Sequence, residues 1–130
     1  MFSHVMIGTN DLDRARRFYD AVLGTLGAGP GTIVNGNRLA YDHGGNRFVV
    51  GTPIDGAPAT HANGGTIGFH AASPAQADAW HAAGLANGGT SCEDPPGERH
   101  RPGGRIVYLA YLRDPDGNKL CALHLIAAGG

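Results

Sequence analysis

Residues 111–124 read "YLRDPDGNKLCALH". An apolar run, a turn of Asp, Pro, Gly and Asn, and a second apolar run predict an antiparallel hairpin. The stretch decides the fold because it occurs twice. At an offset of 72, "DHGGNRFVV" (42–50) lies on "DPDGNKLCA" (114–122). Asp42 meets Asp114, Gly45 meets Gly117, Asn46 meets Asn118, Arg47 meets Lys119 and Val49 meets Cys121. Gly-Asn turns are common, so this match alone says little. Upstream, however, an offset of 62 pairs His4 with Thr66, Gly8 with His70, Ala15 with Ala77, Phe18 with Trp80, Leu23 with Leu85 and Gly27 with Gly89. An ordered match of strand, helix, helix end and hairpin points to duplication. The ten additional residues of the second half are assigned to the Pro- and Arg-rich loop at 94–104.

Each copy carries the same order of elements. Residues 2–8 read as a strand, followed by a helix in "TNDLDRARRFYDAVLGTLG", capped by Asn10 or Asp11 and stopped by Gly27. Leu12, Ala15, Phe18, Val22 and Leu26 recur on its core face. Short strands follow near 31–35, at 38–42 and at 46–51. In the second copy, 65–71 is a strand. Residues 73–89 then begin a helix with Ser73 as cap, Pro74 at the first position and Gln76 completing a capping box. A weak strand near 90–94 precedes strands at 105–114 and 119–126. The expected architecture is α+β, one domain over 1–130 built from two βαβββ modules, about 1–52 and 64–127, with a linker at 53–63.

A chain of 130 residues can bury one sizeable core. With 42% hydrophobic and 16% charged residues it is globular rather than disordered. A net charge of −1 gives no global attraction to nucleic acid or membrane, and basic residues are not interleaved with aromatics. No run of 18 apolar residues is present. "MFSHVMIGTND" lacks the basic start and apolar run of a signal peptide, so a cytoplasmic location is expected. There Cys92 and Cys121 stay reduced. No phosphate loop, G-x-S-x-G elbow, zinc-finger spacing or HExxH pair occurs.

With its paired βαβββ order, "HVMIGTNDLDRARRFYDAVLG" at the start and "YLRDPDGNKLCALH" at the end, the chain resembles the vicinal oxygen chelate superfamily. That superfamily includes glyoxalase I, bleomycin-resistance proteins and extradiol dioxygenases. The resemblance implies two modules forming a curved, cup-like mixed sheet with helices on the convex side, a ligand or metal on the concave side, and a homodimer. It also implies four ligand positions, on the first and last strands of each module, usually His or Gln and Glu. Here they map to His4, Val49, Thr66 and Cys121. Only His4 keeps a usual ligand type. Val49 binds no metal, and Cys121 stands where a glutamate is expected.

Strand alternation puts His4 with Met6, Thr66 with Gly68 and His70, and Cys121 with Leu123 on the cup face, while His124 points away. His4, His70 and Cys121 are therefore the candidate metal set, since imidazole and thiolate suit zinc or iron. His70 lies about 7 Å beyond the Thr66 position. Buried packing is the competing reading of Cys121, because cysteine acts as a small hydrophobe; a thiol activated by His4 is a third. Arg99, His100 and Arg101, in a loop read over 95–105, are candidates for gripping an anionic ligand. Tyr41, Tyr108 and Tyr111 are candidate aromatic walls, and Trp80 is expected in the core. His61 and His81 read as surface residues, His43 as part of a turn.

The expected function is a small-molecule binder with a degraded metal site and no cofactor, as bleomycin-resistance proteins illustrate for this fold. The alternative is a metal-dependent lyase or isomerase resembling lactoylglutathione lyase, using Zn, Ni, Mn or Fe on His4, Cys121 and His70 or His100. That chemistry needs a general base, and the only glutamates, Glu93 and Glu98, fall outside the mapped positions. A dioxygenase, whose iron needs two His and a carboxylate, fits less well.

Overall fold

The computed structural model describes residues 1–130. The first module comprises β1 (His4–Gly8), α1 (Leu12–Thr25), β2 (Thr32–Val34), β3 (Arg38–His43) and β4 (Asn46–Gly51). The second comprises β5 (Ile67–His70), α2 (Pro74–Ala86), β6 (Thr90–Ser91), β7 (Gly97–His100), a 3-10 turn (Pro102–Gly104), β8 (Ile106–Arg113) and β9 (Lys119–Ala127). No helix is long and apolar enough to cross a membrane.

The helix caps show the repeat most directly. Asp11 accepts from the Arg14 N–H, and Ser73, 62 residues on, accepts from the Gln76 N–H. Each satisfies one of the donors that a helix start leaves open. Asn10 does not cap; its side chain bonds the backbone of Ala59. Gln76 reaches back to the N–H of Ala72, one residue before the cap. Helix α1 ends as expected: Gly27 takes φ +98°, and the Ala28 N–H bonds the Leu23 carbonyl.

Two mixed sheets result, in the orders β1-β4-β3-β2 and β5-β9-β8-β6, with β7 also on β8. Parallel pairing sets Met6 beside Val49 in the first and Gly68 beside Cys121 in the second, as offsets of 62 and 72 require. The third strands correct the alignment of the turns. Ala40 faces Val49 but Tyr111 faces Cys121, so the offset there is 71. One of the ten additional residues lies in the hairpin turn, and Asp42 matches Arg113, not Asp114. Gly44 and Gly45, at φ +58° and +82°, make a two-residue turn. Its counterpart has three residues, 115–117, closed by the Asp114 N–H on the Asn118 carbonyl, with Gly117 at φ +91°. The segment read as a loop at 95–105 instead contains β7, which pairs Gly97–His100 with Leu109–Ile106.

Alternate residues of both sheets feed one core. Phe18, Tyr19 and Val22 from α1, Ala77 and Trp80 from α2, Phe48, Val50, Leu112, Leu120 and Ala122 all belong to it. Phe18 and Trp80, the paired positions of the repeat, are both fully buried. Losing either ring would cost about 3–5 kcal/mol. Phe48 of one module and Phe69 of the other meet edge to face at 5.4 Å. His81, expected at the surface, is buried and bonded to Ser91 Oγ at 3.0 Å. Burial lowers its pKa.

The 115–117 turn locks the modules together. Asp116 accepts from Thr9 Oγ1 (2.5 Å), the Asn10 N–H (2.9 Å) and Arg14 (2.7 Å). Asn118 donates to the Gly8 carbonyl, and the Tyr19 hydroxyl donates to Asp114 at 2.5 Å.

Candidate functional site

The residues facing away from the core form two outer faces. On the first sheet, Val5, Ile7, Phe48 and Val50 belong to or pack on the core, so His4, Met6, Arg47, Val49 and Gly51 point outward. His4 is exposed, with Ser3 Oγ at 2.8 Å from its Nδ1. Val49 is buried. Arg47 forms a bidentate pair with Asp42, 2.8 Å at both contacts, which lowers the Asp42 pKa.

Arg38, opposite Gly51, was not among the residues singled out. A Cβ on Gly51 would lie 2.8 Å from Arg38 Cγ and 3.1 Å from Met6 Cε, so the missing side chain makes room for the arginine stem. Its Nε is buried and has no hydrogen-bond partner. The alternation in "RLAYD", with Leu39 and Tyr41 in the core, is the sequence signal for this placement.

On the second sheet, Cys121 packs with Val107 and Leu109, flanked by Tyr111 and Leu123. Burial pushes the thiol pKa up. A side chain at Gly68 would meet its Sγ at 3.3 Å. Beside it, Lys119 pairs with Glu93 and lies 5.2 Å from the centre of the Tyr111 ring. Burial, then the Cys121 and Glu93 charges, raise the Tyr111 pKa.

The remaining candidates are dispersed. Thr66 is exposed and precedes β5. Arg99 donates to the carbonyls of Asp94, Pro95 and Glu98, so its guanidinium holds its own loop. His100 lies 3.5 Å from Glu98 on the exposed edge. Arg101 is exposed. Tyr108 donates to Asp78 of α2, on the helix side of the sheet and so away from Cys121. Tyr41 is a core residue donating to Asp20. His4 and His70 line one cavity of about 710 Å³ between the modules; Cys121, Thr66 and the 95–105 loop do not.

The comparisons with known proteins agree with this architecture. Residues 1–122 match the profile of the Glyoxalase/Bleomycin resistance protein/Dioxygenase superfamily. The chain belongs to this superfamily. A glyoxalase/bleomycin resistance protein from Albidiferax ferrireducens T118 is 62% identical over 95% of this chain and 98% of its own, with a TM-score of 0.90. A glyoxalase-related enzyme from Fulvimarina pelagi (18% identity, 100% and 94% coverage, TM-score 0.71) shares the fold. So does a lactoylglutathione lyase from Agrobacterium tumefaciens (22%, 95% and 92%, TM-score 0.63). No curated protein matches.

Superfamily members often bind a divalent metal, which needs several converging donors. Of the four mapped positions, Val49 has no donor and Thr66 offers only an exposed hydroxyl. Cys121 holds its thiol in an apolar cluster, where burial favours the protonated form over the thiolate that ligates. No three His, Cys, Asp or Glu side chains converge within the chain to hold an ion. The residues do not fit the superfamily's usual metal.

Proposed function

We propose that this chain is a metal-independent, small-molecule-binding member of the glyoxalase/bleomycin resistance superfamily that acts as a homodimer. The ligand sits in a cup formed where an outer face of the first sheet meets an outer face of the second. The observation carrying this reading is the composition of those faces. Apolar Val49 and a packed thiol replace the metal donors, while Arg38 presents a guanidinium whose Nε has no partner. A buried, unpaired donor on a charged group is costly unless an acceptor arrives. Arg38 therefore selects a small organic anion, which it can hold bidentately.

A second copy is supported by the free edges of the sheets. β1 and β5 each have a strand on one side only, and Phe2 and Met6 beside the β1 edge are exposed. Open edges invite pairing with another chain. Proton abstraction on the lyase pattern is less favoured, since Glu93, the carboxylate whose charge acts on Cys121, is paired with Lys119.

The test combines light scattering with a thermal-shift screen of small organic carboxylates and phosphates. A dimer is expected, with at least one anion raising the melting temperature of the native protein and losing that effect in Arg38→Gln. A monomer at micromolar concentration, or anions that stabilise Arg38→Gln as much as the parent, would overturn the reading.

A further inference from the structure

We propose a second binding site, away from Arg38 but bordered by His4 and Arg47 at the edge of the first sheet's outer face: the cavity between the modules takes an aromatic carboxylate. The repeat makes two junctions equivalent. At one, the 115–117 turn drives Asp116 against the end of β1 and the start of α1, where Thr9, the Asn10 N–H and Arg14 bind its carboxylate. That side chain is only 3% exposed. At the other, the offset of 72 puts Gly44 in the place of Asp116, and the offset of 62 puts Ala72 and Gln76 in the places of Asn10 and Arg14. All three line the cavity. The turn here is one residue shorter and carries glycine at both central positions, with no atom within 4 Å of where a Cβ on either would stand. The plug that closes one junction is absent from the other.

The opening has about 710 Å³, within the range of small-molecule sites. Leu23, Leu26, Phe48 and Phe69 give it an apolar floor, and the last two already stack edge to face. Flat aromatic bodies fit such surfaces. Its rim carries the imidazoles of His4, His43 and His70 and the Arg47 guanidinium, and no Asp or Glu lines it. Gln76 is spent on the Ala72 N–H and the Thr25 carbonyl, so it shapes the wall and does not bind. Asp42 holds Nε and Nη2 of Arg47, so Nη1 and the three imidazoles are the free donors, and with no carboxylate in the lining they suit an anionic group. The counterparts of Thr9, the Asn10 N–H and Arg14 are Ala71, the bonded Ala72 N–H and Gln76, so the ligand's carboxylate meets the imidazoles and Arg47 Nη1 instead, and its ring covers the apolar floor.

The probe is 2-naphthoate, read by the imidazole carbon-proton resonances of the seven histidines. Signals of His4, His43 and His70 should move on titration, while those of His61, His81, His100 and His124 stay. Gly44→Asp restores the side chain at the tip and creates an Asp-Gly turn, favoured for two-residue hairpins. It should weaken 2-naphthoate by at least about tenfold in Kd with the melting temperature retained. Ala72→Phe, at an exposed lining position, gives an independent block. Arg38→Gln should leave this binding intact, which separates the site from the cup. The proposal is overturned if the three imidazoles do not move, if both blocking variants bind like the parent, if Arg38→Gln alone abolishes binding, or if uncharged 2-naphthol binds equally well.

Discussion

Replacing Tyr19 by Phe removes one oxygen from the middle of the molecule and should produce a stability loss that depends on pH. The Tyr19 hydroxyl is buried and donates to Asp114 at 2.5 Å, tying α1 of the first module to the hairpin turn of the second. Asp114 also accepts from the N–H groups of Asp116 and Asn118 and from the Asn118 amide. Burial nevertheless outweighs these bonds, and the carboxyl pKa stands above its ordinary value. In the unfolded chain it ionises near ~3.9. Between that value and the raised folded one, the native state binds more proton, so stability falls as pH rises through the interval.

Tyr19 is the strongest of the donors that hold the pKa down. Tyr19→Phe therefore raises it further and extends the interval upward. At pH 7 the bond goes to a charged acceptor, and its loss should cost about 1.5–3 kcal/mol. At about pH 2.5, below the unfolded value and the raised folded one, the carboxyl is protonated in both states and the cost should fall to about 1 kcal/mol. Urea unfolding at both pH values is the assay, with an unchanged m-value and a midpoint shift of about 1 M at pH 7. An equal cost at the two pH values, or one below about 0.5 kcal/mol at pH 7, would refute the reasoning.

Other consequences are as specific. Gly84→Ala should lose about 1–3 kcal/mol, because its Cβ would stand 2.3 Å from Cδ1 of the fully buried Leu112; thermal melting measures it. Ser73→Ala should cost about 1 kcal/mol by removing the α2 cap, without changing the oligomer. In the native protein iodoacetamide at pH 8 should label the half-buried Cys92 before Cys121, whose thiol pKa is raised by burial. Peptide mass mapping would show the reverse order if Cys121 were activated.

The duplication was legible because both copies keep the same helix caps, helix faces and hairpins, which are local features. What escaped depends on tertiary context. "GERH" has no apolar alternation and became a strand only because β8 offered it a free edge. Laying Asp42 on Asp114 followed residue identity, but register sets Asp42 opposite Arg47, in an exposed ion pair, and makes Asp114 a buried acceptor. A polar residue on a helix reads as solvated, yet His81 found Ser91 on the adjoining strand. Arg99 looked free to grip an anion, and its loop's own carbonyls claimed it. Arg38 was readable from strand alternation. The cavity was not, since it arises from a side chain missing at a contact between distant segments.

The central claim is that the positions which hold a metal in this superfamily no longer do so here. Equilibrium dialysis against Zn(II), Ni(II), Mn(II) and Fe(II), followed by elemental analysis of the washed protein, tests it most directly. The donor set of His4, Val49, Thr66 and Cys121 predicts no stoichiometric ion, with the same result for His4→Ala. One ion retained per chain and lost in His4→Ala or Cys121→Ala would contradict it.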